Sequence, residues 1–438
     1  MLATTIAITV LVAAGVFTWA AFRGDDGDAG SPGVEWDEIA LVDRTTGAVS
    51  TYDPEGQPLQ QTTGTGRIAA VHVHGNHLAL VRATEIVVTD ATGDDDEPTV
   101  IEIPRGSSVS PIETATTMHL LVGDPTGGNL LIVDVAGGSV IDVGDAAAPT
   151  VPKVFVETVQ VDADGTRFAV ADAANFQTIV VGAGIDGAAF LADQPVAVGD
   201  ELIATRQVVN LQADISLVDL ERRTEAVVPT ELPRGGVMID DELVMVSVDG
   251  GVFRIRKGDQ GATPLGTIAI PAGSTVAWTV PSYLGERLVV GGTGFVSVVD
   301  LEGTTLFTTT FTTADEPLRP HPAWRCLPVV GESGHSLITL DDGEQLADLT
   351  GLTITSVSAD GCTVIGERAG ASELVNREGR VPLGPLRSVV VAPDGDSVVR
   401  TTTDGRAELV SITEELELGD PVDLGDAPSN VAVAFLDR

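Results

Sequence analysis

A short turn pattern recurs along this chain and constrains the fold more than any other feature of the sequence. The stretches VQVDADGTRFAV (159–170), TSVSADGCTVIG (355–366) and VVVAPDGDSVVR (389–400) align on an Asp-Gly turn between two aliphatic runs. Two looser copies are GVMIDDELVMVS (236–247) and PVAVGDELIATR (195–206). Short apolar runs bounded by Asp and Gly predict antiparallel strands joined by tight turns.

The spacing of these copies selects among the all-β folds. Each copy is followed by another strand pattern and a Gly- or Asp-rich turn, and the next copy begins about 35–50 residues later. Such a period is typical of a β-propeller, in which every blade is a four-stranded sheet and the blades stack around a ring. The chain has almost no apolar pattern at the helical period, so we expect an all-β fold.

The two ends of this region complement each other. SNVAVAFLDR (429–438) has the pattern of a first strand that stops where its turn would begin, and EIALVDRTTGAVSTYDP (38–54) has the pattern of the strands that would follow. Pairing the two would close the ring and cover two open sheet edges. About 400 residues at about 50 residues per blade predict a single propeller of about eight blades, with seven or nine as alternatives.

The Asp-Gly turns also resemble those of bacterial propellers of the YVTN and TolB types, whose inner strands end in a Val-x-x-Asp-Gly turn. The resemblance extends over most of residues 36–438. It implies the propeller fold, and it implies binding or scaffolding about as often as catalysis. It therefore indicates no particular activity.

The first 22 residues predict a membrane segment. They contain no charged side chain, they are long enough to cross a bilayer as one helix, and Trp19 and Phe22 lie at their end. A cleaved signal peptide is the alternative. An acidic linker of residues 23–35 follows, and the propeller domain spans residues 36–438. We expect a single-pass cell-membrane protein with an extracytoplasmic propeller.

Charge restricts the class of partner. Lys and Arg number 24 and Asp and Glu number 64, which gives a net charge of −40. Such a field repels phosphates, so a nucleic-acid partner is excluded. The favoured function is a monomeric binding or scaffold module at the cell envelope that contacts a protein or a glycan through one face of the ring. An exported hydrolase or lyase, which could use a metal, is the alternative.

The stretch VHVHGNH (71–77) holds the candidate metal ligands. His72 and His74 share one face of a strand because they are two residues apart. If Gly75 and Asn76 form a two-residue turn, His77 lies opposite His74 on that face, and three imidazoles could bind zinc, copper or nickel. If His74 and Gly75 form the turn, His77 falls on the other face. A polar hairpin tip without metal is the alternative, and no other cofactor is predicted.

The chain has two cysteines, Cys326 and Cys362. In an exported protein such a pair predicts a disulfide, and two buried free thiols are the alternative. The remaining histidines, His119, His321 and His335, are scattered along the chain. Their positions predict surface or locally hydrogen-bonded side chains.

Overall fold

A computed structural model describes residues 36–437, except 65, 91–96, 115, 126–127, 149, 152, 200, 210–211, 223, 231–232, 240–241, 283–286, 312–319, 322, 330–335 and 414–415. The described residues form 39 strands and one short helix. The strands make ten antiparallel sheets, nine of four strands and one of three. Because the sheets follow one another along the chain and the last strand joins the first sheet, they are the blades of a closed β-propeller.

The first five blades follow one another from residue 38 to residue 230. Blade 1 contains β1 (Glu38–Asp43), β2 (Val49–Tyr52) and β3 (Pro58–Gln61), and blade 2 contains β4 (Ala70–His74), β5 (His77–Val81), β6 (Glu85–Asp90) and β7 (Thr99–Glu102). Blade 3 contains β8 (Ser108–Glu113), β9 (Met118–Gly123), β10 (Leu130–Asp134) and β11 (Val140–Asp142), and the helix α1 (Val143–Ala147) follows, capped by Asp142. Blade 4 contains β12 (Val156–Val161), β13 (Arg167–Asp172), β14 (Gln177–Gly182) and β15 (Ala189–Ala192). Blade 5 contains β16 (Gln194–Val198), β17 (Leu202–Val209), β18 (Gln212–Asp219) and β19 (Thr224–Thr230).

The other five blades complete the ring. Blade 6 contains β20 (Pro233–Ile239), β21 (Glu242–Ser247), β22 (Gly251–Arg256) and β23 (Thr263–Thr267), and blade 7 contains β24 (Val276–Pro281), β25 (Arg287–Gly292), β26 (Phe295–Asp300) and β27 (Thr305–Thr310). Blade 8 contains β28 (Cys326–Val329), β29 (Ser336–Thr339) and β30 (Gln345–Asp348). Blade 9 contains β31 (Thr353–Val357), β32 (Val364–Arg368), β33 (Ala371–Asn376) and β34 (Gly379–Gly384). Blade 10 contains β35 (Leu386–Val391), β36 (Ser397–Thr402), β37 (Arg406–Ser411) and β38 (Val422–Asp426), and the last strand is β39 (Val431–Leu436).

The last strand closes the ring. β39 pairs with β1 over six residues, from Glu38 opposite Leu436 to Asp43 opposite Val431. β39 is thereby the innermost strand of blade 1, and it contacts β4, the innermost strand of blade 2. The two chain ends thus share one sheet, which leaves neither strand as an open edge.

The direction of the innermost strands defines two edges of the ring. We call the edge at which these strands begin the upper edge and the edge at which they end the lower edge. Because the strands of a blade are antiparallel, the turn from the first to the second strand lies at the lower edge, and the turn from the second to the third lies at the upper edge.

The core lies between neighbouring blades. Leu78 and Leu80 of β5 pack toward blade 1, whereas Ala79 and Val81 of the same strand pack toward blade 3. Both faces of such a strand are buried, which explains why its sequence is apolar throughout rather than alternating. The outer strands are more exposed, and all four residues of β3 are accessible to solvent. Burial of each large aliphatic side chain stabilises the ring by about 1.5–3 kcal/mol.

The predicted blade count is wrong. We expected about eight blades, with seven or nine as alternatives, and the described residues form ten. The first strands of blades 2 to 10 and β39 begin between Ala70 and Val431, so nine steps span 361 positions and one blade takes about 40 residues. The count was too low because the prediction assumed a blade of about 50 residues.

The predicted transmembrane helix, residues 1–22, and the linker, residues 23–35, lie outside the described residues. Among the residues that the structure does describe, no helix is long and apolar enough to cross a membrane. The expected fold, an eight-bladed ring preceded by such a helix, is therefore corrected to a propeller of ten blades.

The predicted disulfide is confirmed and joins two blades at the lower edge. Cys362 lies in the first turn of blade 9, at the lower edge, and bonds to Cys326, the first residue of β28, with the two Cα atoms 4.9 Å apart. β28 therefore begins at the lower edge and runs in the direction of the second strands of the other blades. The bond closes a loop with a sequence separation of 36 residues. In the part of the chain that the structure describes, no cysteine is free.

Candidate functional site

The histidine-rich hairpin lies at the lower edge of blade 2. His74 and His77 are paired directly across it, and Gly75 and Asn76 form the two-residue turn between them. Gly75 has a φ of 56°, and the common two-residue hairpin turns require a positive φ at this position. The side-chain amide of Asn76 donates a hydrogen bond of 2.9 Å to the carboxylate of Asp90. Of the two turns considered from the sequence, the structure has the one that puts His77 on the face of His74.

The three imidazoles of this hairpin face blade 3. Ala70 and Ala79 pack in the core between blades 2 and 3, and alternate residues of a strand share a face. Among the described residues, no group of three His, Cys, Asp or Glu side chains could hold a metal ion. A metal site at His72, His74 and His77 stays a prediction, which metal analysis of protein purified without an affinity tag tests.

Burial controls the protonation of the hairpin. It lowers the pKa of His72, and the nearby carboxylate of Glu113 opposes this effect. Burial is also the largest cause that lowers the pKa of His74, with Asp134 and Glu113 opposing it and His77 adding to it. The Nε2 atom of His72 is buried and has no hydrogen-bond partner among the described residues. Both imidazoles are therefore neutral at neutral pH.

Glu113, the last residue of β8, makes a contact across the ring. Its Oε2 atom lies 2.8 Å from Nε2 of His321, and the two side chains are only 11% and 13% exposed. His321 precedes the strands of blade 8, and four blades separate blade 8 from blade 3 in either direction. The backbone N–H of Ala323 donates to Nδ1 of His321 at 3.2 Å. Nδ1 is thus an acceptor, and Nε2 carries the proton that faces Glu113.

His119 differs from its predicted surface position. It lies on β9, is 8% exposed, and packs edge to face on Phe168 of blade 4, with the ring centroids 4.9 Å apart. Burial lowers its pKa, and Asp134 and Asp162 oppose this effect. The prediction of a surface or locally hydrogen-bonded side chain is wrong for His119, whereas His321 does accept a local hydrogen bond from Ala323. The third scattered histidine, at position 335, lies outside the described residues.

The upper edge of blade 4 has the opposite character. Phe176, in the turn from β13 to β14, is 85% exposed, more than any other large apolar side chain that the structure describes. Its φ of 51° lies in the left-handed region, which costs a residue with a Cβ atom about 1–2 kcal/mol. Neither burial nor backbone preference explains an aromatic side chain at this position.

A buried carboxylate holds this turn in place. Asp172 ends β13, is 1% exposed, and accepts four hydrogen bonds. The backbone N–H groups of Phe155 and Ala174 each donate to Oδ1 at 3.2 Å. The side-chain amides of Asn175 and Gln177 donate to Oδ2 at 2.5 and 3.3 Å. The backbone around Phe176 is thus pinned from both sides, and the ring is presented to solvent by a rigid turn.

Two further apolar side chains and a polar row adjoin this turn. Phe155 and Val156, at the start of β12, are 41% and 38% exposed. A row of polar side chains begins at Glu157, the residue after Val156. Nε2 of Gln194 donates to Glu157 at 3.0 Å, and Nη2 of Arg206 donates to Oε1 of Gln194 at 3.0 Å. Phe155, Val156 and Phe176 form what we call the upper apolar surface, and the polar row connects it to blade 5. No sequence pattern identified this surface, because its residues come from two separate segments.

Comparisons with known proteins identify no family for this chain. No protein-family model matches the chain, and no curated protein matches it. Among solved structures, dihydro-heme d1 dehydrogenase NirN in complex with DHE is 14% identical, with a TM-score of 0.44, over 91% of this chain and 75% of that one. The computationally designed Ika8 protein is 13% identical, with a TM-score of 0.41, over 75% of this chain and 95% of that one. Hydrazine synthase from Kuenenia stuttgartiensis is 14% identical, with a TM-score of 0.32, over 72% and 92%. At these values the likeness carries no argument about function, and the propeller rests on the chain's own sheet order.

Proposed function

We propose that the protein is an exported binding module of the cell envelope, and that its upper apolar surface contacts a protein partner. One observation carries this proposal, namely the side chain of Phe176, which is 85% exposed at a φ of 51°. The resemblance of the blade turns to those of bacterial YVTN- and TolB-type propellers is compatible with such a role.

The physical argument compares the backbone strain at Phe176 with what its exposed ring can contribute to binding. An exposed aromatic ring in a left-handed turn contributes nothing to folding and costs about 1–2 kcal/mol of backbone strain. The carboxylate of Asp172 accepts four hydrogen bonds that keep the turn in this conformation. A rigid aromatic side chain loses little conformational entropy on binding, and Phe is enriched in the apolar centres of protein interfaces. The turn therefore suits a contact residue that inserts into an apolar pocket of a partner.

Export is the part of the proposal that concerns location. The disulfide between Cys326 and Cys362 favours an oxidising compartment. The apolar residues 1–22 are the segment of the sequence that would direct the chain out of the cytoplasm. The net charge of −40 favours a soluble surface and argues against nucleic acid as the partner.

Affinity capture from envelope extracts of the source organism tests the binding role. The full chain is compared with Phe176→Ser and with Leu59→Ser, which removes a 46% exposed apolar side chain from the outer strand of blade 1. We expect a partner that wild type and Leu59→Ser retain and that Phe176→Ser loses by about tenfold or more. Equal capture by all three proteins would contradict the proposal.

Thiol labelling tests export separately. Cells are quenched in acid and alkylated before and after reduction, and the peptides that contain Cys326 and Cys362 are measured by mass. We expect alkylation only after reduction, since both sulfurs form one bond in the folded protein. Free thiols in the native cell would place the domain in a reducing compartment and remove this part of the proposal.

A further inference from the structure

Two carboxylates flank the upper turn of blade 4, the turn that joins β13 to β14. On the inner side, Glu157 of β12 follows Val156, which is paired with Asp172 at the base of the turn. On the outer side, Asp193 follows the last residue of β15, and its backbone carbonyl accepts a hydrogen bond of 2.6 Å from Oγ1 of Thr178 in β14. Because β13 and β14 lie between β12 and β15 in this sheet, the turn has a carboxylate on either side.

Neither carboxylate forms an ion pair with a residue that the structure describes. Glu157 is exposed and accepts a hydrogen bond from the uncharged amide of Gln194. Burial raises the pKa of Asp193, the charge of Glu225 adds to this effect, and a hydrogen bond from Gln207 opposes it. A cation from outside the chain would stabilise the charged form of both carboxylates.

Two cationic side chains of the same edge are held by other contacts. The aliphatic stem of Lys153 lies beside Gly128 of blade 3. Arg206 is half-buried and donates to the amide oxygen of Gln194, so this amide stands between the guanidinium group and Glu157. In the whole chain, 64 Asp and Glu residues exceed 24 Lys and Arg residues. The field of the protein therefore attracts a cationic partner and repels an acidic one.

We propose that the partner of the upper apolar surface is a protein segment in which Lys or Arg side chains flank an apolar one. The apolar side chain packs on Phe176 and Phe155, and the flanking cations bind the carboxylates of Glu157 and Asp193. This inference rests on the proposed function, and it adds the chemistry that selects the partner.

The apolar contact and the charges contribute in different ways. Exposed ion pairs are individually weak, so packing on the exposed ring of Phe176 supplies most of the affinity. The charges select the partner, since an acidic segment would meet two carboxylates at contact and a net charge of −40 on approach. The field is screened beyond about 8 Å at physiological ionic strength, so added salt should weaken both effects.

A random peptide library displayed on phage is the probe. It is selected in parallel on the full wild-type chain and on Phe176→Gly, because a protein with a net charge of −40 also attracts basic peptides to other parts of its surface. Only peptides that are enriched on wild type alone are counted. We expect these peptides to contain Lys or Arg beside an apolar residue.

Charge variants test the two carboxylates. The affinity of a selected peptide should fall about five- to tenfold on Glu157→Gln/Asp193→Asn, and the affinity that remains should depend less on salt than that of wild type. Asn suits position 193, where φ is 73°. Glu102→Gln is the matched control, because Glu102 is an exposed carboxylate at the upper end of β7, the outer strand of blade 2. This control should bind the peptide as wild type does.

The outcomes separate the inference from the proposed function. Peptides that need Phe176 but lack Lys and Arg, or that bind Glu157→Gln/Asp193→Asn as well as wild type, would overturn the inference and leave the binding role intact. A selection that enriches no peptide on wild type alone, a glycan array that shows Phe176-dependent binding, or self-association that Phe176→Gly abolishes would overturn the choice of a basic, apolar protein segment. If Phe176→Gly also captures envelope proteins as wild type does, the proposed function fails as well.

Discussion

Blade 4 has two turns that are each built around a buried aspartate, and they differ in what they present. Asp162, 3% exposed, holds the lower turn, and Asp172, 1% exposed, holds the upper one. Both turns contain a residue with a positive φ. In the lower turn this residue is Gly165, at 71°, and in the upper turn it is Phe176, at 51°. Glycine adopts this conformation without strain, whereas phenylalanine does not.

The difference separates a structural turn from a display turn. Gly165 is buried against Thr117 of blade 3, so the lower turn closes the contact between two blades. Phe176 is 85% exposed, so its side chain does not pack between blades. The same division extends around the ring, since the cross-ring contact of Glu113 with His321 and the disulfide lie on the lower side. At the lower edge, buried polar side chains such as Glu113 and His321 connect parts of the ring. At the upper edge of blade 4, the buried Asp172 fixes a turn that exposes the apolar side chain of Phe176.

The largest effect should come from the disulfide of the lower edge. Reduction, or the double variant Cys326→Ser/Cys362→Ser, should lower the free energy of unfolding by about 2–4 kcal/mol, because the unfolded chain regains the freedom of a loop of 36 residues. Denaturant unfolding with and without reductant measures this loss. The double variant should show no further change in reductant. If the folded double variant also captures less of the partner, the lower edge affects binding at the upper edge, and the two edges do not have separate roles.

The two aspartates should have similar costs and different consequences. Asp162 accepts the N–H groups of Thr166 and Arg167, at 2.7 and 3.0 Å, and Asp172 accepts four donors. Asp162→Ala and Asp172→Ala should each destabilise the protein by about 2–3 kcal/mol, since buried donors lose their acceptor. At a low temperature at which both variants are folded, only Asp172→Ala should capture less of the partner than wild type does. A loss of capture in both variants would mean that binding reports general stability.

The repeat in the sequence predicted the propeller but not its size. All five Asp-Gly copies, and the histidine hairpin, lie at first-to-second strand turns of blades. Blades 3, 7 and 8 have no such copy. The first turn of blade 3 is an unmarked Thr-rich segment after Glu113, and blade 8 supplies only three strands among the described residues. A count from turn signals therefore misses blades whose turns use other residues.

The candidate sites were less predictable, for a physical reason. The face on which His77 lies depends only on local strand pairing. The sequence therefore predicted that a Gly75-Asn76 turn would put His77 on the face of His74, and the structure has this turn. The contact between Glu113 and His321 joins opposite sides of the ring, and no local pattern encodes it. Phe176 follows Asn175, the residue type that adopts a left-handed conformation more readily, so its positive φ could not be read from the sequence either.

Substituting the residue with a positive φ should affect the stability of the protein differently in the two turns. Gly165→Ala should destabilise by about 2 kcal/mol, because the residue has a positive φ and its new Cβ would lie 2.8 Å from the Cβ of Thr117. Phe176→Gly should leave the free energy of unfolding unchanged or raise it by about 1 kcal/mol, since strain is relieved and no buried contact is lost. Denaturant unfolding measures both, and capture of the partner should be lost only in Phe176→Gly. A Phe176→Gly protein destabilised by more than about 1 kcal/mol would show that the aromatic ring has a folding role after all.

The smallest effect should be a dependence of stability on pH that comes from the lower edge. Burial lowers the pKa values of His72 and His74 in the folded protein, although Glu113 and Asp134 oppose this. In the unfolded chain these imidazoles take up protons near pH 6.5. As pH falls through about 6.5, the unfolded state therefore binds more protons than the folded state, and stability from this source decreases until the folded imidazoles also titrate. The contribution is complete above about pH 6.5.

A matched variant isolates this contribution from the rest of the protein. Acidification also neutralises carboxylates and reduces the repulsion that follows from a net charge of −40, so wild-type stability alone would mix two opposite trends. His72→Gln/His74→Gln keeps the carboxylates and removes the two imidazoles. Between about pH 5 and 6.5, wild type should lose stability relative to this variant as the pH falls, and above about pH 6.5 the difference between the two should no longer depend on pH. Parallel curves would mean that the hairpin is solvated, and the division between an inward-facing lower edge and an outward-facing upper edge would then rest on the cross-ring contact and the disulfide alone.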